Sequence, residues 1–335
     1  MRALRLQGDV GIEHLEIVDL PAPEPGLGEV RVRVTAASLN YRDLALVEAP
    51  FNRDRLPFAP LSDACGVVEA VGPGVTRVAV GERVASMFFP NWIAGGPTAE
   101  RQANALGGGG TGVAQTQVVL SAEGVAKAPA SLSDGEVACL PCAALTAWRA
   151  LAVEGQITAG ETVLLQGTGG VSIFALQFAK AAGATVIITS SSDEKLERAK
   201  GLGADHLINY RADPEWGRTA RRLTGGVGVD HVLEVGGAGT LPQSLRALRV
   251  GGHLSGIGML AGGGAGVDFS TLFRGNARIH GITVGSREQF EAMGRAIEAN
   301  VLRPVIGERF RFEDAQAAFR RMKAGEHFGK IVLDF

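Results

Sequence analysis

The stretch from Glu161 to Gly183, ETVLLQGTGGVSIFALQFAKAAG, decides how the rest of the chain is read. An apolar run (Val163, Leu164, Leu165) breaks at Gln166 into a glycine-rich turn (Gly167, Thr168, Gly169, Gly170). Apolar residues then recur at helical spacing: Val171, Phe174, Ala175, Phe178 and Ala179. The pattern predicts strand, turn and helix. Glycines in such a turn let the backbone bend sharply and come close to a pyrophosphate, whose charge is met by free N–H groups at the start of the helix. The Gly-x-Gly-x-x-Gly fingerprint is incomplete, because its last position is Ser172. Downstream, Ala184 to Thr189 reads as a second buried strand, so the turn sits inside a βαβ unit and the predicted ligand is a dinucleotide.

Composition narrows the function class. The chain has 335 residues, enough for two domains, and 33 Lys+Arg stand against 35 Asp+Glu. Near-neutral charge gives no electrostatic case for nucleic acid or a membrane surface. The 47 glycines are scattered at turns without a repeat, as in a loop-rich α/β enzyme. No run approaches the roughly 18 apolar residues a membrane span needs, and residues 1–17 carry charges where a signal peptide has an apolar core. With Cys65, Cys139 and Cys142 as its only cysteines, the chain lacks a disulfide framework. A cytoplasmic location is the expectation.

Before the turn the periodicity is two. Val30, Val32 and Val34 alternate with Arg31, Arg33 and Thr35, as in a half-buried antiparallel strand, and short strands are expected at 66–71 and 82–85. Residues 1–128 therefore read as a β-rich domain. It contains a long aperiodic loop at 86–117, which is either functional or mobile. Ser133 to Glu136 forms a capping box before a crossing helix over 137–151. Six strands are predicted in the following domain, residues 129–286: 162–166, 184–189, 206–208, 230–235, 252–257 and 279–284. Two amphipathic helices (290–299 and 312–322) and a last strand (330–333) make up residues 287–335, which are expected to rejoin the first domain. The fold class is α/β, with a dinucleotide domain inserted into a β-rich one and a cleft between them.

In order along the chain, Ser38-Leu-Asn-Tyr-Arg-Asp43, Val71-Gly-Pro-Gly74, Gly81-Glu-Arg-Val84, Leu145-Thr-Ala147, the glycine turn, Ser191-Ser-Asp-Glu-Lys195, Gly203-Ala-Asp205 with Ile208-Asn-Tyr210, and Gly329-Lys-Ile-Val332 form a set. The set resembles the medium-chain dehydrogenases/reductases, in the quinone-oxidoreductase-like branch that includes zeta-crystallin. The resemblance covers essentially the whole chain. It implies a GroES-like catalytic domain, an inserted six-stranded Rossmann domain, a homodimer, and hydride transfer from a nicotinamide held in the cleft.

Zinc-dependent members hold a catalytic metal with a Cys, a His-Glu pair and a second Cys. Here Asn40 or its neighbours take the first cysteine's place and Ser62-Asp63 the His-Glu place, leaving Cys142 alone at a ligand position. Even an open catalytic zinc site needs three protein ligands, so no zinc is expected. The long loop lacks the cysteines of a structural zinc. His206, His231, His253 and His280 fall near predicted strands and read as packed or edge residues, and Cys139-Leu-Pro-Cys142 lies in the apolar crossing helix.

For the cofactor, an NAD site ends its second strand with an acid that bonds the ribose hydroxyls. This strand instead ends Ser190-Ser191, and Ser191 with Glu194 is expected to cap the next helix. In NADPH-using relatives a lysine and a tyrosine fifteen residues later hold the 2′-phosphate, matching Lys195 and Tyr210. NADP(H) is therefore favoured over NAD(H). By resemblance Thr146, Val171, Val235, Gly236, Gly258, Met259, Gly285, Ser286 and Lys330 also line the cofactor.

Without zinc as a Lewis acid, the expected acceptor spreads its developing charge over a π system, as a quinone or a conjugated enone does. Tyr41 is the expected oxyanion donor or proton source and Asn40 orients the substrate, while Arg42 and Asp43 read as a structural pair. A tyrosine that many quinone reductases carry five residues after the asparagine is absent, at Ala45. Two other readings stay open: an NAD(P)-dependent alcohol dehydrogenase, and a protein that binds NADPH without turnover.

Overall fold

A computed structural model describes residues 1–264 and 266–335. Backbone packing divides it into two units, Met1–Leu145 with Val284–Phe335, and Thr146–Thr283. In the first unit β1 (Arg2–Leu6) and β2 (Leu15–Asp19) form an antiparallel pair. The long strand β3 (Glu29–Leu39) buries Val30, Val32 and Val34 as the period of two requires. It ends at Asn40, whose extended backbone opens the helix α1 (Tyr41–Glu48). Strands β4 (Asp63–Val71), β5 (Arg83–Ser86), β6 (Gln117–Ser121) and β7 (Val125–Lys127) follow.

No regular element spans 87–116, yet the loop is anchored. Leu106, Val113 and Ala114 are buried in the same core as β3 and β4, and the Trp92 indole donates to Gly95 O at 2.9 Å. Its Gly107 has φ +64, and a Cβ there would come within 2.6 Å of Leu61 O. Leu61 itself is held at φ +70, a conformation unfavourable for a bulky residue, just before Ser62 and Asp63.

The capping box forms at Ser133, opening α2 (Asp134–Ala138), but the crossing helix is interrupted. Pro141 has no N–H to give, and the chain widens over Leu140–Ala144, with Leu145 N reaching Leu140 O, before α3 (Leu145–Trp148) and a second widened stretch at Arg149–Glu154. Residues 129–145, assigned by sequence to the dinucleotide domain, belong to the first unit. There Ser38 Oγ donates to Ala138 O at 2.8 Å.

The second unit is built on six parallel strands: β8 (Thr162–Gln166), β9 (Thr185–Ser190), β10 (His206–Asn209), β11 (Val229–Glu234), β12 (Leu248–Gly256) and β13 (Arg278–Gly281). The order is β10-β9-β8-β11-β12-β13, the doubly wound order, which reverses direction between β8 and β11. Helices α4 (Gly170–Ala181), α5 (Asp193–Gly201), α6 (Trp216–Leu223), α7 (Leu241–Ala247) and α8 (Phe269–Gly275) connect them. Val163, Leu164, Leu165, Val186, Ile187 and Ile188 are fully buried, as expected of strands covered on both faces.

The chain then returns to the first unit with α9 (Arg287–Ala299), β14 (Ile306–Arg311), α10 (Ala315–Ala324) and β15 (Lys330–Asp334). Strand β15 pairs antiparallel with β3, completing a seven-stranded sheet ordered β14-β15-β3-β4-β5-β7 with β6 also on β3. Leu39 and Ile331 are partners in that pairing, which sets Asn40 and Lys330 beside each other.

Candidate active site

At the glycine turn, Gly167 has φ +69, and neither Gly167 nor Gly169 would meet any atom within 4 Å if given a Cβ. The backbone there faces open space, which a pyrophosphate can enter. Gly169 caps α4, so the first N–H groups of that helix start at the turn. Ser172, where the fingerprint wants glycine, is buried at 2% exposure and its hydroxyl donates to Gln166 O at 2.6 Å. The departure from the motif thus adds a tie between helix and strand.

Next to the turn lies a network that sequence reading missed. Gln166 Nε2 donates to Glu234 Oε2 at 2.7 Å and to Ser244 Oγ at 2.6 Å, and Gln166 Oε1 accepts the Val235 and Gly236 N–H groups, each at 3.1 Å. Glu234 Oε1 takes the N–H of Gly236 (2.8 Å), the N–H of Gly237 (2.9 Å) and the Thr240 hydroxyl (2.5 Å), and Ser244 donates to Oε2. Glu234 is 3% exposed, so these bonds replace the water it lost. They join the ends of β8 and β11 where strand order reverses, and they freeze the loop that carries Val235 and Gly236.

Ser190, Ser191 and Tyr210 stand together at the ends of β9 and β10: Tyr210 N donates to Ser190 O at 3.0 Å, and the Tyr210 ring is exposed. The cap of α5 is Ser192, one residue later than expected, with its hydroxyl accepting from Lys195 N at 3.3 Å. Ser191 is thereby left outside the cap. Asp193 is engaged by Asn209 Nδ2 at 2.7 Å, and Lys195 is half-buried in the first turn of the helix. Thr146 is buried in α3, Gly258 N reaches Glu234 O at 3.2 Å, and Met259 is exposed.

The first unit holds a compact polar cluster. Lys330, 3% exposed, donates from Nζ to Asn40 Oδ1 at 2.6 Å and to Leu39 O at 2.7 Å. Asp63 is fully buried. It accepts from Ser62 Oγ at 2.5 Å and from Cys142 N at 2.9 Å. Burial pushes its carboxyl up from the usual range, against the opposing pull of the Lys330 charge. Asp43 accepts from Asn40 N at 2.8 Å. Burial raises its pKa to about 6, with Arg42 pulling it down and Asp63 pushing it further up. Arg42 does pair with Asp43, at 3.6 Å, while donating to Leu106 O and lying over the Phe88 ring.

Tyr41, at the start of α1, is 55% exposed. Ser286 is fully buried and caps α9 by accepting from Gln289 N at 3.2 Å, with Gly285 just before it. The Lys330 ammonium makes its hydrogen bonds to Asn40 and Leu39. Only the pairing of β15 with β3 reveals this, because 290 residues separate Lys330 from Asn40.

The donors in this cluster do not fit a zinc ion. Burial pushes the Cys142 thiol up, away from the thiolate that binds metal, and a lysine ammonium already sits among the oxygens. No group of three or more His, Cys, Asp or Glu side chains among the described residues could hold a metal. His231 bonds Glu161 at 2.9 Å, and burial lowers the pKa of His253 to about 4.

A dinucleotide sheet with a phosphate-ready turn, joined to a GroES-like sheet bearing a buried polar cluster, defines a nicotinamide-dependent oxidoreductase. Residues 26–130 match the family described as "Alcohol dehydrogenase GroES-like domain", and residues 170–299 match "Zinc-binding dehydrogenase". A zinc-type alcohol dehydrogenase-like protein of Schizosaccharomyces pombe is 44% identical over 331 residues, covering 96% of each chain. A 2-haloacrylate reductase of Burkholderia is 32% identical, covering 92% of this chain and 91% of the relative. A putative alcohol dehydrogenase of Sinorhizobium meliloti superposes with a TM-score of 0.93 at 42% identity, over 100% of this chain and 98% of that one. A mycobacterial protein solved with NADPH superposes at 0.84 with 29% identity, over 100% of both. The chain belongs to the medium-chain dehydrogenase/reductase superfamily.

Proposed function

We propose that this enzyme reduces a quinone or an α,β-unsaturated carbonyl with NADPH and without a catalytic metal. The donor set carries the reading: the places of metal ligands hold a buried amide, a buried carboxyl and a thiol that burial keeps protonated, and the Lys330 ammonium is bonded to that amide. Bound NADPH supplies a hydride. On an enone, hydride addition at the β-carbon moves an electron pair to the carbonyl oxygen, and a proton then adds at the α-carbon. The protein's part is to offer N–H or O–H donors to that oxygen, and conjugation keeps the demand on them modest. Asn40 and Tyr41 are the donors assigned here. A 2-haloacrylate reductase among the relatives acts, by its name, on a conjugated C=C acceptor, which supports the choice.

NADPH is preferred because β9 ends at Ser190 and Ser191 follows, where an NAD site carries an acid, with Tyr210 beside Ser190 and Lys195 in the first turn of α5 as donors for a 2′-phosphate. The mycobacterial protein bound to NADPH agrees with this. The working form is read as a cytoplasmic homodimer, supported by the exposed Phe269 and Phe273 of α8 and the adjacent edge strand β13. An alcohol dehydrogenase is the second reading, favoured by the Schizosaccharomyces and Sinorhizobium relatives. Steady-state oxidation of NADPH by quinones and enones, set against alcohol-driven reduction of NADP⁺, separates the two.

A further inference from the structure

Asn40 is held at one end only. Its Oδ1 accepts from Lys330 Nζ at 2.6 Å. An ammonium has three donors and no acceptor, so turning the amide over would set N–H against N–H. Chemistry therefore fixes which end of the amide is oxygen, a question that geometry alone often leaves open. The opposite end, Nδ2, is buried, and no hydrogen-bond partner meets it among the described residues. It lies close enough to Asp63 to help lower that carboxyl's pKa, yet no bond of proper geometry joins them. Asn40 as a whole is 8% exposed. A buried amide that gives up its hydrogen bonds with water is costly unless a ligand completes it.

Lys330 needs explaining too. A lysine this buried requires a counter-anion; both buried carboxyls of the cluster feel its charge, and for Asp63 it is the foremost of the pulls that oppose burial. Asp63 is in turn oriented by Ser62 Oγ and Cys142 N, and the backbone N–H of Asn40 is pinned from the other side by Asp43. The oxygen end of the Asn40 amide and its backbone N–H are thus both held, and its NH₂ end, beside Asp63, is the part left to complete.

We propose that Lys330 and Asp63 are positioning residues that clamp Asn40, so that its NH₂ is a preset donor to the oxygen of the acceptor. The fixed ammonium supplies positive charge among the positions where metal-holding relatives keep a divalent ion. The inference rests on the reading of Asn40 as the residue that orients substrate. It also separates Lys330 from the cofactor: Lys330 acts on turnover and leaves NADPH binding alone.

Lys330→Met, Lys330→Arg and the charge-free pair Lys330→Met with Asp63→Asn test this. Roughly tenfold to a hundredfold loss of kcat is expected for Lys330→Met, the scale of losing one donor to a developing oxyanion. The NADPH dissociation constant, read by nucleotide fluorescence, stays within about twofold, as expected of a residue whose ammonium bonds to Asn40 and Leu39. Lys330→Arg, also donor-only, recovers most of the rate. The double variant leaves no unpaired charge and keeps the test available should Lys330→Met fail to fold. In ¹⁵N-labelled protein, the Asn40 side-chain NH₂ pair, identified by its loss in Asn40→Asp, shifts in both Met-containing variants and returns in Lys330→Arg. An NH₂ pair unmoved by Lys330→Met, an arginine variant as slow as the methionine one, or a tenfold weaker NADPH affinity at unchanged kcat overturns the proposal. If wild type reduces no quinone or enone, the assigned function fails, and the NMR arm still decides the clamp.

Discussion

Ser172 offers the sharpest check on how the glycine turn works. Replacing it with glycine restores the full fingerprint at sequence level, and motif matching alone predicts an improved cofactor site. The structure predicts the reverse for stability. The Ser172→Gly variant loses the 2.6 Å bond to Gln166 O from a position 2% exposed, worth about 1 kcal/mol for a neutral hydrogen bond. It also introduces glycine into the first turn of α4, at about 0.5–1 kcal/mol relative to alanine. The sum is a loss of about 2 kcal/mol, confined to the Rossmann unit. Urea unfolding with and without NADPH measures it. Affinity for NADPH should hold within about twofold, because the open space above Gly167 and Gly169 is untouched. A variant as stable as wild type, or one that binds NADPH ten times more tightly, would refute the reasoning.

Three further outcomes follow from single side chains. Asp43 has its pKa raised to about 6, so the protonated carboxyl is favoured in the folded protein and the associated stability is lost as pH rises from about 4 through 6. Asp43→Asn removes that dependence, and across this window its stability should improve relative to wild type by about 3 kcal/mol, measured by denaturation at each pH. Lys195→Ala should cut the preference for NADPH over NADH by roughly tenfold in kcat/KM, the scale of one charge-assisted bond to phosphate; an unchanged preference rejects the assignment of Lys195 and Tyr210. Tyr41→Phe should slow turnover of a quinone and an enone alike by roughly tenfold or more, the scale of a lost proton donor, and near-normal rates would limit Tyr41 to packing.

The dinucleotide sheet was legible because buried parallel strands read as unbroken apolar runs. Leu164 and Ile187, fully buried, lie in β8 and β9 as expected. Strand β12 starts at Leu248, earlier than 252, because Gly251-Gly252 reads as a turn although the strand runs through it. The crossing helix over 137–151 was too simple, since periodicity does not register the widened turns around Pro141. The loop at 86–117 hides its anchors, Leu106 and Val113, because isolated apolar residues in an aperiodic stretch carry no directional signal. The site divides in the same way. Glycine positions are local and could be read, whereas Gln166 meets Ser244 across 78 residues and Lys330 meets Asn40 across 290. Such pairs exist only after the sheets have formed.

The central claim to test is reduction of a conjugated acceptor by NADPH with no metal ion taking part. Protein stripped with a chelator and checked by metal analysis, then assayed for NADPH oxidation against quinones, enones and enoyl thioesters, tests it directly. Turnover with at least one conjugated acceptor is expected, at a rate that added zinc does not raise. Activity that appears only on zinc addition, or only as oxidation of an alcohol, would contradict it.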